Sequence, residues 1–508
     1  MNNGKGYRRL FYLNCLSIAK INICNLSKLY GISAILNKVW FVLFWTPVLT
    51  LYIIVNSANW YHAYAKSKST TSQNRLNLPS VKSFMTDNGI RAFYIEDELP
   101  QLTIIVSAGY GKLYENSKNA GISDLIAKTL SLAGSKNFQG DLLHEKVESI
   151  GGRLSISSSW EEIVISIRVL ERYSDIAFDI VKDLIENPNF DADIITDAKS
   201  HLLEEIRRKK DSPEALAFDK AKEIVFNGNG YGAVVKEDTV SSITRYQMID
   251  LWNKYFNAGN IVIGISSSIN FTKIKNYIKT SLGSTKKGDR ILYSSDSISI
   301  GKSIVKNSGN IYLIPKDLPQ ATIVLGTVAP KIKDKRVYPL EIMNYILGGG
   351  SFNSRLVREI RVKRGLAYSV QSVIRFRYNT GIFLAFAQTR NEKAGETLEL
   401  MLNNLQLMGE KQITQKELKW AKESIINSYI FKFDTLSSIL SRFLSLSYYG
   451  FSSEYLLGYQ MKIDKVSADE ILKSNKDLLR YGLIKVIVGK KDLKKMLKKY
   501  GDVKIVNP

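Results

Sequence analysis

The sequence predicts an α+β protein of two homologous domains, each a largely antiparallel sheet packed with helices. Three observations lead there. First, landmarks recur in order. Leu99-Pro100-Gln101 leads into an apolar run at 103–106, and Leu318-Pro319-Gln320 leads into another at 322–325, a shift of 219 residues from position 99 to 318. Ala198-Lys199 opens a helical stretch reaching Asp211-Ser212, and Ala421-Lys422 opens one reaching Asp434-Thr435, a shift of 223 from 198 to 421. Asp238-Thr239-Val240-Ser241 precedes a helix and a strand ending at Gly264, as Asp464-Lys465-Val466-Ser467 precedes a helix and a strand ending at Gly489. Such order at nearly constant offset is the signature of duplication. Second, Ile163, Ile165, Ile167 and Val169 alternate with more polar neighbours, the period of a half-buried strand. Third, strands come in runs with helices gathered between them, which favours antiparallel pairing.

Each half repeats one coarse order. Strands are expected at 91–95 and 103–108, then a helix at 119–133 in the first half and 335–347 in the second. A second helix follows, then strands within 154–169 and 367–388, long helices and a closing strand. Ile156, Ser158 and Trp160 extend the alternation of the first of these strand runs. The domains span 80–284 and 303–508. The linker at 285–302 is rich in Ser, Gly and Lys.

Ahead of the body stands a leader, residues 1–38, with Lys and Arg but no acidic residue. The uncharged apolar run 39–55 follows. Its 17 residues would make about 26 Å of helix, near the hydrocarbon thickness of a bilayer. Positive charge before the span places the leader in the cytoplasm and the body across the membrane. The expectation is an inner-membrane anchor, or a long signal segment, with the body in a bacterial periplasm. Residues 56–79 are polar and aperiodic and read as a tether.

At 508 residues the chain is too long for one core. Its net charge of +23 does not argue for nucleic acid, because Lys is spread along the chain with no basic stripe interleaved with aromatics. Cys15 and Cys24 both precede the apolar run, so the body has no disulfide, thiolate metal site or cysteine nucleophile.

The stretch from Leu347 to Val370 is the most informative. Gly348, Gly349 and Gly350 offer a backbone free to turn sharply at positive φ. Leu356, Val357 and Ile360 then fall on one helical face, with Arg355, Arg358, Arg361 and Lys363 on the others. Gly365 suits a helix stop. Tyr368, Val370 and Val373 alternate as in a strand. A helix thus delivers Arg361 and a strand delivers Tyr368, a guanidinium and a phenol suited to clamping a carbonyl or oxyanion. On spacing alone the favoured reading is the plainer one, a surface Arg and a half-buried strand Tyr.

The block SRLxxxIRxKxGLAYSV at 354–370 resembles the pitrilysin/insulinase family of zinc peptidases, which includes mitochondrial processing peptidase. Asn88-Gly89 before the first strand, Gly109 to Gly121 before the first helix, Glu205-Ile206, Asp211-Ser212-Pro213 and Tyr231-Gly232 match as well. Active members carry HxxEH on the first helix, where two imidazoles bind Zn²⁺ and the Glu activates its water. Here Asp124 and Lys128 stand at the His positions and Ala127 at the Glu. Ala127 accepts no proton, and an ammonium beside a dication is repulsive. Glu205 matches the third ligand, but one carboxylate is not a zinc site. His201 with Glu204 and Glu205 imitates HxxE, yet the other histidines, His62 and His144, lie far off in sequence.

The resemblance therefore implies a chain that binds no zinc and has no catalytic residue of its own. It implies a substrate-binding role for Arg361 and Tyr368, offered to a zinc-bearing homologous partner that hydrolyses peptides. The alternative is a pseudo-peptidase that only binds peptides or scaffolds a membrane complex.

Overall fold

The computed structural model describes Leu76, residues 78–292 and residues 304–507. The apolar run 39–55, its leader and nearly all of the tether lie outside the described residues, as does part of the linker. Among the described residues no helix is long and apolar enough to cross a membrane.

Two six-stranded sheets organise the body. The first comprises β1 (Val81–Met85), β2 (Arg91–Glu96), β3 (Gln101–Ala108), β4 (Arg153–Ser158), β5 (Ile163–Leu170) and β6 (Ile261–Ser267), in the order β1-β2-β6-β3-β5-β4. The second comprises β7 (Asn310–Pro315), β8 (Gln320–Ala329), β9 (Ala367–Arg375), β10 (Gly381–Arg390), β11 (Ile484–Gly489) and β12 (Asp502–Ile505), in the order β12-β7-β11-β8-β10-β9. Five strands correspond one to one, including the single parallel step β2–β6 and its counterpart β7–β11. The outer edge differs: β1 precedes β2 and pairs antiparallel, whereas β12 returns from the C-terminal end and pairs parallel with β7.

Helices α1 (Ile122–Ala133), α2 (Gly140–Ser149), α3 (Ser174–Glu186), α4 (Ala192–Lys210), α5 (Pro213–Val225), α6 (Glu237–Ser242), α7 (Arg245–Tyr255) and α8 (Phe271–Leu282) belong to the first half. The second half has α9 (Val337–Asn344), α10 (Ala394–Glu410), α11 (Gln415–Ser428), α12 (Leu436–Tyr449), α13 (Glu454–Leu457), α14 (Tyr459–Lys465), α15 (Ala468–Leu479) and α16 (Leu493–Leu497). One face of each sheet is buried by the helices of its own half. Ile104, Ile165 and Ile263 pack with Leu125, Val181 and Trp252 in the first, and Ile323, Phe383 and Ile487 with Leu340, Leu398 and Ile471 in the second.

The opposite faces are covered by exchange. Ala217, Ala221 and Val225 of α5 pack on Ile314, Val324 and Val486 of the second sheet. Ile439, Leu440 and Phe443 of α12 pack on Ile95, Ile105 and Val262 of the first. The repeated Asp-Ser and Asp-Thr landmarks mark where these helices begin. Ser212 caps α5, with Pro213 in its first turn, and Thr435 caps α12.

At the seam between the halves, the buried Glu161 carboxylate accepts hydrogen bonds from Tyr231 and Tyr449 hydroxyls and from the Tyr378 backbone N–H at 2.8 Å. Beside it Glu162 accepts from Ser107 and, at 3.3 Å, from Ser445. Burial raises the Glu162 pKa above the usual carboxylate range, against the pull of the Ser107 hydrogen bond.

Three local expectations are corrected. The alternation at 154–169 is two strands, not one run. It breaks at Ser159–Glu162, and Ile156, Ser158 and Trp160 are only half-buried, because β4 is an edge strand. The glycine run at 348–350 takes no positive φ; Ser351 does, at 58°. Gly348 is required instead by close approach, since a Cβ there would lie 2.5 Å from the Ser372 backbone nitrogen. The helix after it is a short π turn, Val357–Val362, although Leu356, Val357 and Ile360 are buried together as their spacing implies. Gly365, at φ 60°, does end it, its N–H reaching the Arg361 carbonyl at 3.1 Å.

Candidate functional site

The sequence singled out two places, and they lie on different sheets. The first is α1. Glu115, buried ahead of it, accepts from the backbone N–H groups of Gly121 and Ser123 at 2.8 and 3.0 Å and from the Ser123 hydroxyl at 2.5 Å. These are donors that the start of a helix leaves orphaned. Burial raises the Glu115 pKa above its ordinary value, although those hydrogen bonds oppose the rise.

Asp124 follows in the first turn. It accepts a hydrogen bond from Ser158, at the end of β4, and pairs with the Lys112 ammonium at 3.0 Å. Burial works to lower the Lys112 pKa, but Asp124, Glu115 and Asp219 together hold it above the usual lysine value. Ala127 is buried and Lys128 half-buried on the same helix. Glu205 lies on α4, which packs along α1. Its carboxylate is exposed and engages no partner among the described residues.

This set does not fit zinc. It offers one carboxylate already paired to an ammonium, a second exposed on the neighbouring helix, a methyl group where a proton acceptor is needed, and two lysines. No group of three or more His, Cys, Asp or Glu able to hold a metal ion occurs among the described residues. The decoy His201 is exposed on α4. Lys112, Glu115 and Ser158 were not legible as a unit, because Lys112 and Glu115 come from the short turn ahead of α1 and Ser158 from the end of β4.

The second place is the corner between the Val357–Val362 turn and β9. Two backbone irregularities build it. The π turn carries Arg361. In β9 the pairing with β10 slips: Ser369 faces Gln388 while Ala367 faces Thr389, leaving Tyr368 as the extra residue of a β-bulge. A bulge re-aims the side chain it inserts. Tyr368 is accordingly 80% exposed, whereas Val370, which simple alternation would put on the same face, is buried.

The Arg361 guanidinium lies 5.0 Å from the Tyr368 ring centre and 5.1 Å from that of Phe352, itself exposed. Cation–π contact holds the guanidinium while leaving N–H groups for an acceptor. Phe352 escaped the sequence reading, since one aromatic after a glycine run carries no periodic signal. Arg355 of the same block plays another part: it makes a bidentate pair with Glu417 of α11 at 2.8 and 2.9 Å.

Residues 92–238 match the family described as Insulinase (Peptidase family M16), and residues 242–425 match the Peptidase M16 inactive domain. The chain belongs to peptidase family M16. An uncharacterized zinc protease of Rickettsia felis is 26% identical over 389 residues, covering 76% of this M16 chain and 91% of the relative. A non-peptidase homolog, YmxG, of Helicobacter pylori is likewise 26% identical over 389 residues, covering 75% and 87%. Among solved structures, the peptidase M16 inactive domain from Pseudomonas fluorescens aligns with a TM-score of 0.72 at 21% identity, covering 81% of this chain and 98% of that one. A protease from H. pylori aligns with a TM-score of 0.72 at 19% identity, covering 81% and 100%. At these identities the structures establish the shared fold. This chain is an inactive M16 peptidase homologue.

Proposed function

We propose that this M16 homologue is the non-catalytic, membrane-anchored subunit of a zinc peptidase. It offers Arg361 and Tyr368 to peptide substrates held by a homologous partner, and that partner bears the zinc. The observation that carries the reading is the contrast between the two places. On α1 the Asp124 carboxylate is paired with the Lys112 ammonium, while Tyr368 stays exposed beside a half-buried Arg361, the two carried by a bulge and a π turn. A structural role alone would not call for an 80% exposed tyrosine stacked with an arginine. The apolar run 39–55 behind a basic leader is the basis for an inner-membrane anchor with the body in the periplasm.

The test is a cleavage assay on unfolded peptides, with the isolated chain and with the chain paired to a homologue containing HxxEH. The chain alone is inert, and the pair is active and chelator-sensitive. Chelator-sensitive cleavage by the isolated chain refutes the reading. Arg361→Ala and Tyr368→Ala separate it from a scaffold role. Tyr368 is exposed and Arg361 half-buried, with ring contacts only to exposed aromatics, so folding changes by less than about 1 kcal/mol. A large loss of turnover in the pair then reports a shared site, and unchanged turnover reports a scaffold.

A further inference from the structure

A second exposed cluster lies in the second half, at the turn between α11 and α12 and the neighbouring α13–α14 segment. The 3-10 turn Tyr429–Phe433 joins α11 to α12 and carries Ile430 and Phe431, 47% and 76% exposed. Leu457 at the end of α13 and Met461 in α14 are about half exposed. The two segments are locked together. The Tyr429 hydroxyl donates to the Leu456 carbonyl at 3.1 Å, Gln460 donates to the Ile426 carbonyl at 3.1 Å, and the Tyr429 and Tyr459 rings stack 4.1 Å apart. Lys432 lies 5.5 Å from both of those rings, with Glu341 3.9 Å from its ammonium, and Lys462 flanks the other side. Rigidly mounted apolar side chains with lysines at their margin are what an interfacial membrane contact requires.

The entry of the chain says what covers this face. Leu76 is buried in the second half's core, and Leu78 packs where that core meets the cluster beneath α12. Phe433 occupies the same junction, and it ends the turn that presents Ile430 and Phe431. From Val55, the last residue of the apolar run, to Leu76 is 21 residues.

We propose that the Ile430–Phe431–Leu457–Met461 face seats on an anionic lipid bilayer, holding the body against the membrane. The proposal rests on reading 39–55 as a membrane anchor, and the experiment separates the two. A specific protease sequence is placed between Lys66 and Thr71 of the full chain. The chain is reconstituted in phosphatidylethanolamine–phosphatidylglycerol vesicles, cut and sedimented. The released body stays with the vesicles, and I430S/F431S lowers its partition coefficient at least about tenfold while leaving the thermal midpoint in place. Equal retention on phosphatidylcholine overturns the anionic preference. Equal release of wild type and double variant overturns the docking face, as does a Phe431-dependent dimer that leaves the bilayer. Alkaline extraction of the uncut chain tests the anchor separately. If it extracts, the anchor fails, and retention of the cut body on added vesicles still decides the face.

Discussion

Replacing Arg355 by alanine tests whether that residue of the SRL block is a strut and not part of a peptide site. The Glu417 carboxylate is held at a pKa of about 2 against an ordinary 4.5. Burial opposes that depression, and the Arg355 hydrogen bonds and charge outweigh it together with the backbone and side chain of Thr414. A depression of about 2.5 units corresponds to about 3.4 kcal/mol. Thr414 supplies part of the depression and the remaining exposure of the pair screens it, so the share of Arg355 is on the order of 1 kcal/mol. The folded-state pKa lies below the unfolded one, so this stability is present above pH 4.5 and is lost as pH falls toward 2. Urea unfolding of wild type and Arg355→Ala should therefore differ by about 1 kcal/mol at pH 7 and by about half that at pH 3. In a Glu417→Gln background the same substitution should cost under about 0.5 kcal/mol, because the cycle then has no ionic coupling to remove. A penalty independent of pH, or one that survives in the Glu417→Gln background, refutes the reasoning.

Glu161→Ala leaves two tyrosine hydroxyls and one N–H without their buried acceptor, and equilibrium denaturation should show a loss of about 3–5 kcal/mol. Glu161→Gln, which keeps an acceptor, should lose less. Glu162 has the opposite sign from Glu417. Its folded-state pKa is raised, so the stability linked to its proton is full below the ordinary carboxylate range and is lost as pH rises through the raised value. Unfolding curves of Glu162→Gln should be flatter with pH over that window and no less stable at neutral pH. Added zinc or chelator should leave the melting temperature of the isolated chain unchanged, since a ligand shifts it only by binding the folded state. Restoring Asp124→His, Ala127→Glu and Lys128→His should give about tenfold weaker zinc binding by calorimetry than the same triple change with Lys112→Met added.

Much of the fold was legible in the sequence. The duplicated landmarks and the alternation at Ile163–Val169 identify the sheet strands, because both are local. Ser212-Pro213 and Thr435 mark helix starts by capping chemistry alone. What was hidden is non-local. The apolar stripe of α5 announces burial but not that the sheet beneath it belongs to the other half. The bulge that exposes Tyr368 is a register slip against β10, invisible in β9's own residues. Gly348 reads as a turn until Ser372 is seen pressing on it. At the candidate site, the loss of the zinc motif was plain from three positions on one helix. The ammonium that pairs with Asp124 came from a separate short turn, and Phe352 came from a loop with no pattern.

The exchange of α5 and α12 sets an order on synthesis. The last strand of the first sheet ends at Ser267, and the helix that roofs its bare face begins at Leu436, roughly 170 residues later. Until that helix leaves the ribosome, Ile95, Ile105 and Val262 face water, a surface on which a nascent chain aggregates or recruits a chaperone. Translation arrested anywhere between those points yields a half-roofed protein, and a gene split at the linker would yield two polypeptides, each lacking the cover that only the other carries.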